Sequence, residues 1–253
     1  MNYRLTLQYD GTDFHGWQMQ RVTGERSVQG ELARALCLID GRDDVQMHGA
    51  GRTDAGVHAL AQVANVRIER EIAPDKLRAA MNGNIGRDVR VTKVEIVPDD
   101  FHARFSARGK TYRYSIFNAP YLSPFWARYA LHEARAIDVD RMQKAAKLFL
   151  GEHDWTAFSS AQADVATRVR TITMLEVTER YSVRGQGSLI NITASANGFL
   201  RYMVRSIAGT LLAVGRGEIE PQTVELAIRN GARELAGATA AAHGLTLLKV
   251  HYD

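Results

Sequence analysis

The chain has 253 residues, 45% hydrophobic and 24% charged, with 5 Pro and a formal net charge of +4; this excludes a disordered chain and describes one able to bury a core. The single cysteine, Cys37, excludes an internal disulfide framework and a multi-cysteine zinc site. Its best apolar run, Ile207 to Val214, is far short of the roughly 20 residues that cross a bilayer, and Met1–Thr6 has no apolar signal core, so a cytoplasmic protein without a membrane partner is expected.

Alternation of Leu5, Leu7 and Tyr9 with polar residues predicts a strand over Arg4–Tyr9. Ser27 is a good N-cap for a helix whose inward residues are Val28, Leu32, Ala35, Leu36 and Ile39, ending at Gly41. A strand is predicted over Val63–Ile68. Pro74 then fits the first turn of a helix with Leu77, Ala80 and Met81 inward, stopped by Asn82-Gly83. Val89–Val97 is strand-like again.

A second pass of similar order begins near Lys110. Tyr112, Tyr114 and Ile116 alternate as a strand, and Met142, Ala145, Ala146 and Phe149 mark a helix ended by Gly151. Leu175–Thr178 and Leu189–Ala194 read as strands. After Asn197-Gly198, the residues Leu200, Val204, Ile207, Leu211 and Val214 form the buried stripe of a helix, and Arg201 and Arg205, four apart, share another face of it. Pro221–Asn230 is a further helix and Leu245–Tyr252 a last strand. The repeated order predicts two α+β units, 1–104 and 105–253, with a seam near 98–110 and the sheets joined edge to edge.

Charge divides along the same line. Residues 1–104 hold 14 basic against 15 acidic side chains, and residues 105–253 hold 18 against 13. Two stretches of the chain carry no acid. Phe101–His132 contains Arg104, Arg108, Lys110, Arg113 and Arg128 interleaved with Tyr112, Tyr114, Phe117, Tyr121, Phe125, Trp126 and Tyr129. Arg180–Gly217 contains Arg184, Arg201, Arg205 and Arg216 as well. Cations for phosphates and flat rings for bases suit an RNA-binding surface. Arginine-rich codon usage with the rings in the core accounts for the same composition.

The most unusual segment is Gly49-Ala50-Gly51-Arg52-Thr53-Asp54-Ala55-Gly56-Val57-His58-Ala59. Its small residues let backbone approach something closely, while Arg52, Asp54 and His58 supply chemistry. It lacks the Gly-Lys-Ser/Thr ending of a phosphate loop and the spacing of a dinucleotide fingerprint. On composition alone it is a tight loop with Asp54 capping a turn. The other odd segment, Asp10-Gly11-Thr12-Asp13-Phe14-His15-Gly16-Trp17-Gln18, is either a strand-ending turn or a loop beside the site that Trp17 holds down.

These two segments, with Lys110-Thr111-Tyr112-Arg113-Tyr114 and Gly198-Phe199-Leu200-Arg201-Tyr202-Met203-Val204-Arg205, resemble the pseudouridine synthases of the TruA family over essentially the whole chain. One departure is Ala241-Ala242, where the family often has a proline before Gly-Leu, here Gly244-Leu245. The resemblance implies two ferredoxin-like α+β subdomains with a largely antiparallel sheet. It further implies conversion of uridine to pseudouridine at positions 38–40 of the tRNA anticodon arm, no cofactor, and a homodimer in which one tRNA touches both subunits. Asp54 is then the catalytic nucleophile.

A nucleophilic carboxylate in a pocket that excludes water needs a cation beside it, because burial favours the neutral form. The resemblance places the Arg205 motif beside the aspartate loop, which makes Arg205 the expected partner; the alternative is an Arg at the helix surface touching phosphate. Tyr112 matches the family's active-site tyrosine, a ring to stack on the extracted uracil and a phenol to assist proton removal. Arg52 resembles the residue that fills the gap left by the flipped base. Tyr114 is expected in the core and His58 is expected to be structural. Two rival readings remain at this stage, a non-catalytic RNA-binding protein and a metal-dependent hydrolase built on His48, Asp54 and His58.

Overall fold

The computed structural model describes residues 1–20, 24–162, 165–181 and 187–252; Arg184 of the second acid-free stretch lies outside them. In chain order the elements are β1 (Asn2–Tyr9), α1 (Val28–Asp40), β2 (Met47–Gly49), β3 (His58–Arg67), α2 (Pro74–Asn84), β4 (Val89–Val97), β5 (Gly109–Asn118), β6 (Leu131–Glu133), α3 (Val139–Ala146), β7 (Gly151–Asp154), β8 (Val169–Tyr181), β9 (Ser188–Ala196), α4 (Met203–Gly215), α5 (Pro221–Asn230) and β10 (Leu245–His251). Among the described residues no helix is long and apolar enough to cross a membrane.

The chain divides into two compact units, Met1–Arg108 with Thr246–Asp253, and Gly109–Leu245. The boundary therefore falls four residues after the expected one, and the last strand belongs to the first unit. The cause is pairing. Thr246 and Leu247 of β10 run parallel to His58 and Ala59 of β3, the Arg108 N–H donates to the His251 carbonyl at 2.8 Å, and the Tyr252 hydroxyl donates to the Ala103 carbonyl at 2.6 Å.

In the first unit β1 pairs antiparallel with β3 and β4, and β3 pairs antiparallel with β2. The order β4-β1-β3-β2 with the sequence βαββαβ is the ferredoxin-like arrangement. Strand alternation puts Tyr3, Leu5, Leu7 and Tyr9 into the core. Val28, Leu32, Ala35 and Leu36 of α1 and Leu77 and Met81 of α2 are buried as the helical spacing requires. Ser27 accepts the Gly30 N–H at 3.2 Å and Gly41 ends α1 in the left-handed region at φ 75°.

In the second unit β5 pairs antiparallel with β9, β9 with β8 and β8 with β7, while β6 lies parallel to β5. Phe149 stacks on Trp155 and meets Phe158 edge-on, and all three are fully buried. Helix α4 is buried nearly all round, with Arg205 the one half-exposed residue along it. It starts at Met203, later than the Asn197-Gly198 signal predicts.

Candidate active site

Asp54 sits in the loop between β2 and β3, half-buried, in the first unit. Its backbone closes a turn, the Val57 N–H donating to the Asp54 carbonyl at 3.2 Å. The loop is tied down from below. Tyr9 and Thr53 share a hydroxyl–hydroxyl hydrogen bond of 2.9 Å, and Gln62 donates to the Gly51 carbonyl at 3.1 Å. Burial pushes the Tyr9 phenol up to about 12, against the opposing hydrogen bonds to Thr53 and Gln62, so it is a neutral bonding partner at ordinary pH.

The Asp10–Gln18 segment is the strap that holds this loop. The Trp17 N–H donates to the Thr53 carbonyl at 3.1 Å and the Gly56 N–H to the Phe14 carbonyl at 3.3 Å. Trp17 and Phe14 are buried, and a Cβ on Gly49 would fall 2.6 Å from the indole. Gly16, at φ +90°, packs so closely that its own Cβ would fall 2.7 Å from the Thr53 carbonyl oxygen. The strap in turn rests on the start of α1, where the Val28 and Gln29 N–H groups donate to Gly16 and Trp17 carbonyls at 3.2 and 3.0 Å.

Arg52 is exposed and donates from Nε to Gln18 Oε1 at 3.0 Å, so its guanidinium is carried by the strap. His58 is buried. Its Nδ1 accepts the Gly11 N–H at 2.9 Å and lies 3.2 Å from the Asp10 carboxylate. The imidazole is thus held between the Gly11 backbone and the Asp10 side chain, a structural position. His48 stacks on His102 at 4.7 Å between centroids instead of approaching a metal set. Among the described residues no three His, Cys, Asp or Glu side chains lie together as metal ligands, so His48, Asp54 and His58 do not form such a group.

Tyr112 and Arg205 belong to the second unit. Tyr112 is buried on β5, with the Phe199 ring edge-on at 5.3 Å. Arg205 is fixed at both ends of its residue: its Nε donates to the Ala240 carbonyl at 2.8 Å, and its own carbonyl accepts the Ala240 N–H at 3.1 Å. Its guanidinium carbon lies 5.0 Å from the Tyr202 ring centroid. Tyr114 is fully buried as expected, donates to the Ala241 carbonyl at 2.9 Å, and has its phenol pushed up by burial despite the opposing charge of Arg205. A Cβ on Gly244 would fall 2.6 Å from the Tyr114 ring. Tyr114 and Arg205 thus shape the Ala240–Gly244 turn without a proline.

Periodicity did not flag Tyr202. It precedes α4 at φ 67°, the one positive-φ residue other than glycine among the described residues, and Arg201 also lies over its ring at 4.8 Å. Nothing in the sequence signals that backbone state.

The family model described as tRNA pseudouridine synthase matches residues 6–106 and 145–253. The chain belongs to that family. A tRNA pseudouridine synthase A of Bacillus sp. is 42% identical over 93% of this chain and 93% of its own. One from Ruminiclostridium cellulolyticum is 41% identical over 98% of each, and one from Streptococcus equi 39% identical over 99% of this chain and 98% of its own. A chain from "Crystal Structure of a Cbf5-Nop10-Gar1 Complex" aligns at TM-score 0.34 and 12% identity, over 96% of this chain and 57% of that one, too distant to carry an argument. Arg52, Asp54 and Arg205 lie inside the matched spans, and Tyr112 lies between them.

Proposed function

We propose that this family member isomerises uridine to pseudouridine at positions 38–40 of the tRNA anticodon arm, as a cytoplasmic homodimer, with Asp54 as nucleophile and protein groups alone doing the chemistry. The observation that carries the reading is the Asp54 loop, whose backbone is clamped by Gly16, Trp17 and Gln62 and whose Thr53 hydroxyl is held by Tyr9. Such rigidity has a use when one carboxylate oxygen must meet a reacting carbon. A surface that only binds RNA gains nothing from a fixed carboxylate, which repels phosphate.

In this reading the target base leaves the stem, and Arg52, carried on Gln18, occupies the space it vacates. The Asp54 carboxylate attacks the base or the ribose carbon, the bond from N1 to the sugar breaks, and the uracil turns to present C5. The new C5–sugar bond forms, the bond to Asp54 breaks to return the carboxylate, N1 gains a proton and the C5 proton leaves, with the Tyr112 phenol as the assisting group in this reading. Arg205, anchored to Ala240, is the group that in this reading favours the charged carboxylate before the attack and after its release.

Tritium release from tRNA carrying 5-tritiated uridine tests the reading. The parent protein is expected to release tritium and Asp54→Ala to fall to background while still binding tRNA. Equal release from both proteins would end the assignment of Asp54.

A further inference from the structure

A cavity of about 580 Å³ lies wholly within the second unit, walled by Ser159, Ser160, Arg168, Tyr202, Arg233 and Thr239 among others. Neither Arg168 nor Arg233 falls in an acid-free stretch of the sequence. Both guanidiniums are pinned by neutral groups. Arg168 donates from Nη1 to Ser159 Oγ at 2.8 Å and the Ser160 carbonyl at 3.0 Å, and from Nη2 to the Ala161 carbonyl at 2.9 Å. Arg233 donates from Nη1 to the Gly237 carbonyl at 2.7 Å and from Nη2 to Thr239 Oγ1 at 3.2 Å.

Neutral partners fix the direction of a guanidinium without cancelling its charge. None of the described residues lining the cavity is a carboxylate. The acid that feels Arg168 is Asp154, outside the lining, and its carboxyl is held low first by hydrogen bonds from Thr156, with Arg168 the smallest contribution. Two fixed cations and several hydroxyls around one space make a site for a tetrahedral oxyanion. The space exceeds what a lone oxyanion fills, leaving room for the sugar that carries the phosphate.

We propose that this cavity is a subsite for a backbone phosphate of the RNA substrate, gripped by Arg168 and Arg233. The proposal rests on the tRNA reading above and adds contacts that the basic stretches of the sequence do not contain. Tyr202 joins the subsite to Arg205, since its ring both lines the cavity and lies under the Arg205 guanidinium.

The test is the affinity of the full chain for a tRNA transcript across a series of KCl concentrations. Arg233→Gln is expected to weaken binding about tenfold at low salt and to reduce the slope of log affinity against log salt by about 0.7–0.9, the share of one phosphate. Arg168→Gln should behave alike, but it also ties down Ser159–Ala161. Arg233→Gln, checked for a parent-like melting curve, is therefore the deciding variant. A parent-like slope overturns the proposal. So does stabilisation of the parent by inorganic phosphate that Arg233→Gln abolishes, if the tRNA slope is unmoved, because the site then takes free phosphate. Asp54→Ala should keep the parent slope. If it also keeps tritium release, the nucleophile assignment falls and the phosphate subsite stands.

Discussion

Gly16 shows how a single residue far away in the sequence shapes the reacting group. It has no side chain because there is no room for one: the Thr53 carbonyl, the Asp54 carbonyl carbon and the Ala55 nitrogen all lie within 3.2 Å of where a Cβ would stand. All three are backbone atoms, which cannot swing aside. Gly16→Ala is expected to lose about 2 kcal/mol of stability, from positive-φ strain and from the clash. It should lower turnover more than tRNA affinity. Gly24 separates the two causes, since it also has positive φ but no atom within 4 Å of its Cβ position; Gly24→Ala should lose only about 1 kcal/mol. Denaturant midpoints with single-turnover rates check both, and a Gly16→Ala protein with parent-like turnover would separate the strap from the chemistry. The strap's chemistry was visible in Phe14, Gly16 and Trp17. Its grip on Thr53 was not, because that is a contact between segments about 35 residues apart.

Elements were legible in proportion to how far their own residues decide them. Helix α1 carries its N-cap and its left-handed stop in the sequence, α5 its opening proline and closing glycine, and both fall where spacing puts them. Strands β2, β6 and β7 escape notice because three or four residues cannot show an alternation, and partners far along the chain create them. Strand β8 extends well beyond Leu175–Thr178 because β7 pairs with its first residues and β9 with the rest, partners that its own sequence does not show. The same reasoning explains the site. Gly and Ala around Asp54 mark its loop from sequence, whereas Tyr202, Arg168 and Arg233 acquire meaning only from what folds against them.

Strand β6 ends in a charged cluster with a pH signature. Glu133 is buried, accepting from Arg135 Nε and Nη2 at 2.9 Å each, the Arg135 N–H at 3.0 Å and Arg216 Nη1 at 3.0 Å. Arg135 first, then Arg216, hold its carboxyl down to about 2 against the effect of burial. A folded value below the ordinary 4.5 means that its contribution is complete above pH 4.5 and is lost as pH falls toward 2. Glu133→Gln should therefore lose about 2 kcal/mol at pH 7 and differ little from the parent near pH 2. Urea unfolding from pH 2.5 to 7 reads the convergence; a gap that stays constant with pH would remove Glu133 as its source.

At the level of the whole molecule, the charge is carried by one part of the chain. The excess of basic side chains lies in residues 105–253, while residues 1–104, which bear Asp54, are nearly balanced. A polyanion is thereby drawn chiefly to the second unit, and the carboxylate stands where repulsion is not reinforced by further net negative charge. The proposed homodimer would give two such basic units to one tRNA. Multi-angle light scattering at assay concentrations should return twice the chain mass; a stable monomer with full turnover would contradict it.

Strand β10 has a consequence for how the protein is made. His58 and Ala59, where the Asp54 loop rejoins the sheet, pair with Thr246 and Leu247. Ala59 also pairs with Tyr9 of β1, so a ribosome translates the whole second unit while only one edge of that stretch of β3 lacks its partner. The clamps from Tyr9, Gly16, Trp17 and Gln62 are all translated early, and only the last edge of the loop's exit waits for residues 246–252 to emerge.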